Sequence, residues 1–186
     1  MSDDFFSVPD EWAASALLDR EGRAADYARS IGDPDAYWLE RAKRLDWVKF
    51  PSLTNESSFA ESDFGVEWFA DGILNVSANC IDRHLADRGD QTAIIWEPDS
   101  PEEEPRRYSY AHVHEQVCRF ANVLKGAGAK KGDRITVYMP MIPEAAFALL
   151  ACARIGAFHS VVFGGFPPGA RAGRIIDCDS TLVITA

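Results

Sequence analysis

The 186 residues contain no C-x-x-C pair, no excess of positive charge and no apolar run near the roughly 20 residues of a bilayer span. Each absence closes a class. Cys80, Cys118, Cys152 and Cys178 lie 26 to 38 residues apart, so neither a zinc ribbon nor a dithiol redox motif is expected. They read as reduced thiols, two of them (Cys118 and Cys152) in apolar helical patterns. Nineteen Lys and Arg against 29 Asp and Glu leave a net charge of -10, which argues against a nucleic-acid or anionic-membrane surface. The start, Met1-Ser2-Asp3-Asp4, is acidic where a signal peptide is basic, and no hydrophobic region follows it. A cytoplasmic protein is the expectation. What is present, 47% hydrophobic and 26% charged residues, suits a soluble domain with a core, or one domain with an appended piece.

The first 60 residues read as helical. Pro9-Asp10-Glu11-Trp12 opens one helix. Asp33 before Pro34 caps a second, expected to run to about Trp47. Residues 48–63 read as a loop anchored by Phe50, Leu53 and Phe59. Val66–Phe69 resembles a short strand before the Asp71-Gly72 turn. Asn75 is placed to cap a helix over Val76–Ala86.

After Gly89-Asp90 the pattern changes. Thr92–Trp96 reads as a strand, and Glu97–Pro105, with three prolines and five acids, as an exposed loop. Ser109 caps a long helix whose stripe of Tyr110, Val113, Val117, Phe120, Ala121 and Leu124 ends at Gly126 and Gly128. Then strands at Arg134–Tyr138, His159–Phe163 and Thr181–Ile184 alternate with helices from Pro143 to Ala153 and from the Gly164–Pro168 turn to about Ile176. Short connections of this kind imply right-handed crossovers and a parallel sheet covered on both faces. The fold class is therefore α/β: a partial parallel sheet flanked by helices, with an N-terminal helical extension.

Ligands of open parallel sheets bind beyond the carboxyl ends of the strands. Two loops qualify, Met139–Pro143 and Gly164–Pro168. In the second, paired glycines allow close backbone approach and the following helix offers N–H groups to an anion, although a tight turn alone also accounts for them. Arg171 and Arg174 lie early on that helix and could attract phosphate, or be ordinary exposed arginines. Gly126-x-Gly128 with Gly132 sits between helix and strand, the reverse of a dinucleotide fingerprint, so an NAD-type domain is not expected. There is no G-x-x-x-x-G-K-[ST] loop and no G-x-S-x-G elbow. His112 and His114, two apart on a helix, point in different directions and cannot share a metal; His159 reads as a hydrogen-bonded core residue. Asp133 and Asp177 read as turn or cap residues. No residue is expected to be catalytic or to bind metal.

The stretches Asn75–Leu85 (NVSANCIDRHL), Thr92–Glu97 (TAIIWE), Cys118–Asn122 (CRFAN), Tyr138–Ala146 (YMPMIPEAA), Ala151–Ala157 (ACARIGA), His159–Phe166 (HSVVFGGF), Ala172–Asp177 (AGRIID) and Leu182–Ala186 (LVITA) together resemble the N-terminal portion of AMP-forming acetyl-CoA synthetases. Asp33–Trp38 (DPDAYW) resembles the helical extension of acetyl- and propionyl-CoA synthetases. The resemblance implies an extension over residues 1–80 and, over 81–186, the first part of the large AMP-binding domain of an adenylate-forming enzyme. Such enzymes convert ATP and a carboxylate to an acyl-adenylate and diphosphate, with Mg²⁺ screening the phosphates, and then transfer the acyl group to CoA. It implies further that Phe163, Gly164 and Gly165 lie beside the CoA nucleotide. The family's phosphate loop, adenine and ribose motifs, acyl pocket and catalytic lysine match nothing here, so the chain alone is expected to lack ligase activity. A propionate-specific homologue and a stand-alone CoA- or protein-binding module are the alternatives. In either case the partners are small molecules (acetate, ATP, CoA) or a protein.

Overall fold

The computed structural model describes residues 6–186; the acidic start Met1–Asp4 lies outside them. The chain divides into two compact units. One comprises the described residues up to Leu45 with Lys49–Ile73, the other Asp46–Val48 with Leu74–Ala186.

In the first unit, α1 (Asp10–Ser15), α2 (Arg20–Gly32) and α3 (Pro34–Ala42) begin at polar or proline boundaries. Asp19 accepts from Gly22 N at 2.7 Å, and Asp33 from Ala36 N at 3.1 Å with Pro34 in the first turn. The Tyr37 hydroxyl donates to Asp26 at 2.6 Å and Arg41 pairs with the same carboxylate, joining α2 to α3. Together they hold Asp26 below its usual range, the tyrosine hydroxyl most strongly. The helix after Asp33 ends at Ala42, five residues before the expected Trp47.

The segment that follows has no strand over Val66–Phe69. It carries isolated antiparallel bridges, Lys49 to Ile73, Asn55 to Trp68 and Ser58 to Gly65. Phe69 adopts φ 51°, outside extended space for a bulky residue, and the chain turns there rather than continuing a ladder. Of the expected anchors, Phe59 is 79% exposed and edges onto Phe64, while Trp68 edges onto Trp38 of α3 at 6.0 Å. Asp71 adds a polar clasp. Its carboxylate accepts from Ser52 N, Ser52 Oγ and Leu53 N at 2.8–3.2 Å.

The second unit begins with α4 (Val76–Cys80), capped by Asn75 Oδ1 on Ala78 N at 3.1 Å. The expected continuous helix over Val76–Ala86 is broken at Ile81 (φ -128°, ψ -61°). A 3₁₀ turn, Asp82–His84, and a short α5 (Leu85–Arg88) follow. The break turns Ile81 into the core, where it is 3% exposed. β1 (Thr92–Trp96) pairs antiparallel with β2 (Arg106–Ser109), a strand that was not expected before the helix cap at Ser109. α6 (Tyr110–Gly126) starts at Ser109, whose Oγ accepts from His112 N at 3.2 Å.

β3 (Arg134–Met139), α7 (Pro143–Ile155), β4 (Phe158–Phe163), α8 (Pro168–Asp177) and β5 (Leu182–Thr185) complete the unit. α7 ends at Gly156 in the left-handed region (φ 76°), where only glycine is unstrained. The sheet is parallel in the order β4-β3-β5. Ile135 stands level with His159 and Leu182, and Val137 with Val161 and Ile184. The crossover from β3 through α7 to β4 steps one way across the sheet and that from β4 through α8 to β5 steps back past β3, so right-handedness sends α7 and α8 to opposite faces. Side chains agree. Ile135, Leu182 and Ile184 join one core cluster with Val113, Val117, Leu124, Phe147, Ala151 and Cys152 from α6 and α7. Thr136, pointing the other way, meets Ser180 at 2.7 Å, and Arg171 of α8 stacks on Tyr138. Each aliphatic or aromatic side chain fully buried in that cluster contributes about 1.5–3 kcal/mol. Coverage of the two faces is unequal. α8 buries no residue, Ile176 is 77% exposed, and on the edge strand β4 His159, Val161 and Phe163 are exposed. The expectation of a sheet with helices on both faces holds, with α8 covering its face thinly; that of a core His159 is corrected.

Candidate functional site

With α7 and α8 leaving on opposite faces, the loops after β3 and β4 part at the carboxyl ends of adjacent strands, which is where open α/β sheets form a ligand crevice. Residues 140–142 make one lip and residues 164–167 the other. The Tyr138 hydroxyl donates to Gly164 O at 2.8 Å, tying the lips together. Trp96 of β1 donates through Nε1 to Met141 O at 2.9 Å, fixing the first lip to the neighbouring hairpin. Arg106 of β2 lies 4.8 Å from the Trp96 ring centroid.

Phe163, Gly164 and Gly165 are all exposed here. Neither glycine has a positive φ, so backbone conformation alone does not demand glycine in this turn. A Cβ on Gly164 would sit 3.7 Å from Met139 O, ordinary contact. One on Gly165 would lie 2.8 Å from Phe163 Cε1, so the missing side chain is the space into which the Phe163 ring folds. Phe166 meets that ring edge-on at 5.9 Å. The result is an aromatic and bare-backbone lip with Arg171 and Arg174 behind it, at 4.6 Å from the Tyr138 centroid and 5.0 Å from that of Phe166. It offers a flat surface and positive charge, and no nucleophile or acid–base pair.

Sequence reading found the loop and the arginines but not Tyr138 or Trp96 as the groups that hold the lips. The strand end marks Tyr138 for attention; nothing local marks Trp96, whose partner is 45 residues away.

A second polar cluster lies elsewhere in the same unit. Arg154 at the end of α7 makes two bonds to Asp82, at 2.7 and 2.8 Å, and reaches Ser77 Oγ at 3.5 Å. His114 Nε2 stands 3.5 Å from both Asp82 Oδ1 and Cys118 Sγ. The thiol and the carboxylate share one ring nitrogen, so this is not a relay in which a base is oriented through its other nitrogen. Arg154 keeps the Asp82 carboxyl below its ordinary range, and Asp82 in turn raises Arg154. Asn75 donates to the carbonyls of Ala153 and Arg154 at 3.2 and 3.1 Å, so the cap ties the start of α4, and the ion pair ties the following 3₁₀ turn, to α7. His112 faces Tyr108 and Phe147 instead, so the two histidines do diverge. A cavity of about 510 Å³ lined by Lys125, Lys130, Lys131 and Arg154 lies at the amino ends of the strands, among connecting turns. The carboxyl-end crevice is the stronger site, because that is where this architecture converges its loops.

A parallel sheet with helices on opposite faces and loops parting at its carboxyl ends defines an α/β domain of the doubly wound class. Residues 81–186 match the family described as AMP-binding enzyme, and the chain belongs to that family. Residues 23–80 match the one described as acetyl-coenzyme A synthetase N-terminus. Among curated relatives, the chain is similar to acetyl-coenzyme A synthetases from Novosphingobium aromaticivorans (56% identity), Bradyrhizobium diazoefficiens (54%) and Parvibaculum lavamentivorans (55%). All of this chain aligns with each of them, and it spans only 28–29% of their length. Among the described residues no helix is long and apolar enough to cross a membrane.

Proposed function

We propose that this chain is the N-terminal part of an acetate–CoA ligase: residues 1–80 a helical extension, residues 81–186 the first part of its AMP-binding domain. The complete cytoplasmic enzyme would use ATP to convert acetate to acetyl-adenylate and diphosphate, then pass the acetyl group to the CoA thiol with release of AMP. The observation that carries this reading is the alignment of the whole chain with relatives named for acetyl-CoA synthesis. Those names favour acetate over propionate. Within that reaction Phe163, Gly164 and Gly165 form one wall of the CoA entrance: the exposed ring offers a face for a purine and the glycines let it approach the backbone. Among the described residues no group of three or more His, Cys, Asp or Glu is placed to hold a metal ion, and no step is assigned to Mg²⁺ on this chain.

The test has two arms. The purified 186-residue chain is expected to release no acetate-dependent pyrophosphate, and release at a measurable rate overturns the division of labour. Titration with CoA is expected to shift the amide resonances of residues 163–166; resonances that stay put at saturating CoA remove these residues from the site.

A further inference from the structure

We propose that the cavity at the amino ends of the strands is an anion site of its own, in which Lys125, Lys130 and Lys131 hold a compact oligophosphate beside the Cys118 thiol. None of these residues belongs to the CoA wall, so the site stands or falls independently of it.

Lysine is clustered here. The chain has five lysines, and three of them line this one cavity of about 510 Å³. That volume lies within the roughly 300–1,000 Å³ of small-ligand sites. Its walls hold no Asp or Glu, in a chain where acids outnumber bases 29 to 19. None of the three lysines is ion-paired among the described residues. The remaining cation of the wall, Arg154, is committed to Asp82 through both terminal nitrogens.

Helix ends account for part of this charge. Lys125 lies in the last turn of α6 and Arg154 in that of α7, where the helix dipole favours a cation. Each helix end supplies about half a negative charge, so the two together offset about one lysine. About two positive charges remain, and Lys130 and Lys131, on the turn beyond α6, carry them.

That turn is built to present both. Adjacent side chains ordinarily diverge, yet Lys130 and Lys131 line the same cavity. Gly128 and Gly132, at φ 94° and 90°, bracket them in the left-handed region. Asp133 accepts from Lys130 N at 2.7 Å, and Gly132 N donates to Gly156 O at 2.9 Å, which pins the turn to the end of α7. A Cβ on Gly156 would lie 3.0 Å from Lys131 Cγ and 3.5 Å from its Cδ, so the lysine stem runs across the bare glycine. A fixed backbone thus delivers both ammonium groups.

The chemistry of the wall selects the ligand. With the Arg154 fork occupied, it offers point charges and no free bidentate donor, which suits clustered phosphates better than a planar carboxylate. Asn122 adds an exposed amide, and Cys118 a half-buried thiol, to the same wall.

The experiment uses the 186-residue chain with inorganic tripolyphosphate, monophosphate and a hexaglutamate peptide as probes. It reads backbone amide shifts and the rate at which N-ethylmaleimide labels Cys118. Tripolyphosphate is expected to shift the amides of residues 125–132. At ten times its Kd it should slow Cys118 labelling about tenfold, with the exposed Cys80 unaffected. Monophosphate should bind the same residues about tenfold more weakly, having fewer charges to share. In K130Q/K131Q the tripolyphosphate affinity is expected to fall about tenfold, and K130R/K131R, which keeps the charge, should retain it. Wild-type affinity in K130Q/K131Q, or shifts with an unchanged Cys118 rate, place the anion outside the cavity and overturn the site. Hexaglutamate bound as tightly as tripolyphosphate makes this a surface for an acidic protein segment and overturns the oligophosphate. The wild-type shifts and Cys118 protection remain readouts if the glutamine variant fails to fold. Amides of residues 125–132 that stay put with tripolyphosphate refute the proposal.

Discussion

Replacing Asp82 by Asn keeps the shape of the side chain and removes the charge that Arg154 grips with two bonds of 2.7 and 2.8 Å. The partners are 32% and 24% exposed, between a surface pair and a buried one. Exposed pairs contribute about 0–1 kcal/mol, whereas breaking a buried pair costs about 3–5 kcal/mol. The intermediate burial and bidentate geometry put this one near 2 kcal/mol. For a unit of this size that is a fall in Tm of about 8 °C. A double-mutant cycle with Arg154→Met, followed by thermal and urea unfolding, isolates the coupling. The pH profile gives an independent check. Arg154 lowers the Asp82 pKa in the folded state, so the contribution is fully present above the unfolded value of about 3.9. It is lost as pH falls through the lower folded value, so native and D82N stabilities should converge below about pH 4. A D82N protein that melts within about 1 °C of wild type at pH 7, or a coupling energy below about 0.5 kcal/mol, refutes the assignment of this pair as the clasp between the Asp82–His84 turn and α7.

The Asp71 carboxyl, held down to about 2 first by the Ser52 hydroxyl and then by the backbone N–H groups of Leu53 and Ser52, should titrate near that value by carboxyl ¹³C NMR. The order it gives residues 49–73 is present above about pH 4 and lost as pH falls through about 2; a midpoint near 4 would contradict the hydrogen bonding described. With maleimide at pH 8, the exposed Cys80 should label fast and Cys152 hardly at all, since Cys152 is fully buried and burial raises its thiol to about 11. Equal labelling rates in the native chain would count against the core packing of α7.

The elements that were readable in advance are those whose signal is local. Asp33, Asn75 and Ser109 stand at helix starts because each side chain satisfies the N–H three residues on. The runs at residues 134–138 and 159–163 and the stripe from Val113 to Leu124 likewise emerged where expected. What escaped depends on distant partners. Arg106–Ser109 has no apolar alternation and is a strand only because β1 supplies its ladder. The break at Ile81 follows from the pull of the core, which a helix propensity does not register. Phe69 turns in a conformation its own side chain disfavours, its N–H held by Thr54 O and its carbonyl by Gly72 N across the chain turn. At the crevice the Gly164–Pro168 loop was legible from its place after a strand. The pins from Tyr138 and Trp96 were not, for they join segments 26 and 45 residues apart.

The strand order has a consequence in time. All three members of the parallel sheet and both lips of the crevice come from one uninterrupted run, Arg134–Thr185, with the middle strand synthesised first. A nascent polypeptide can therefore add one neighbour to each side of a seed already present, without waiting for a remote stretch to return. The wall can thus assemble from one local stretch, strand by strand in the order of synthesis.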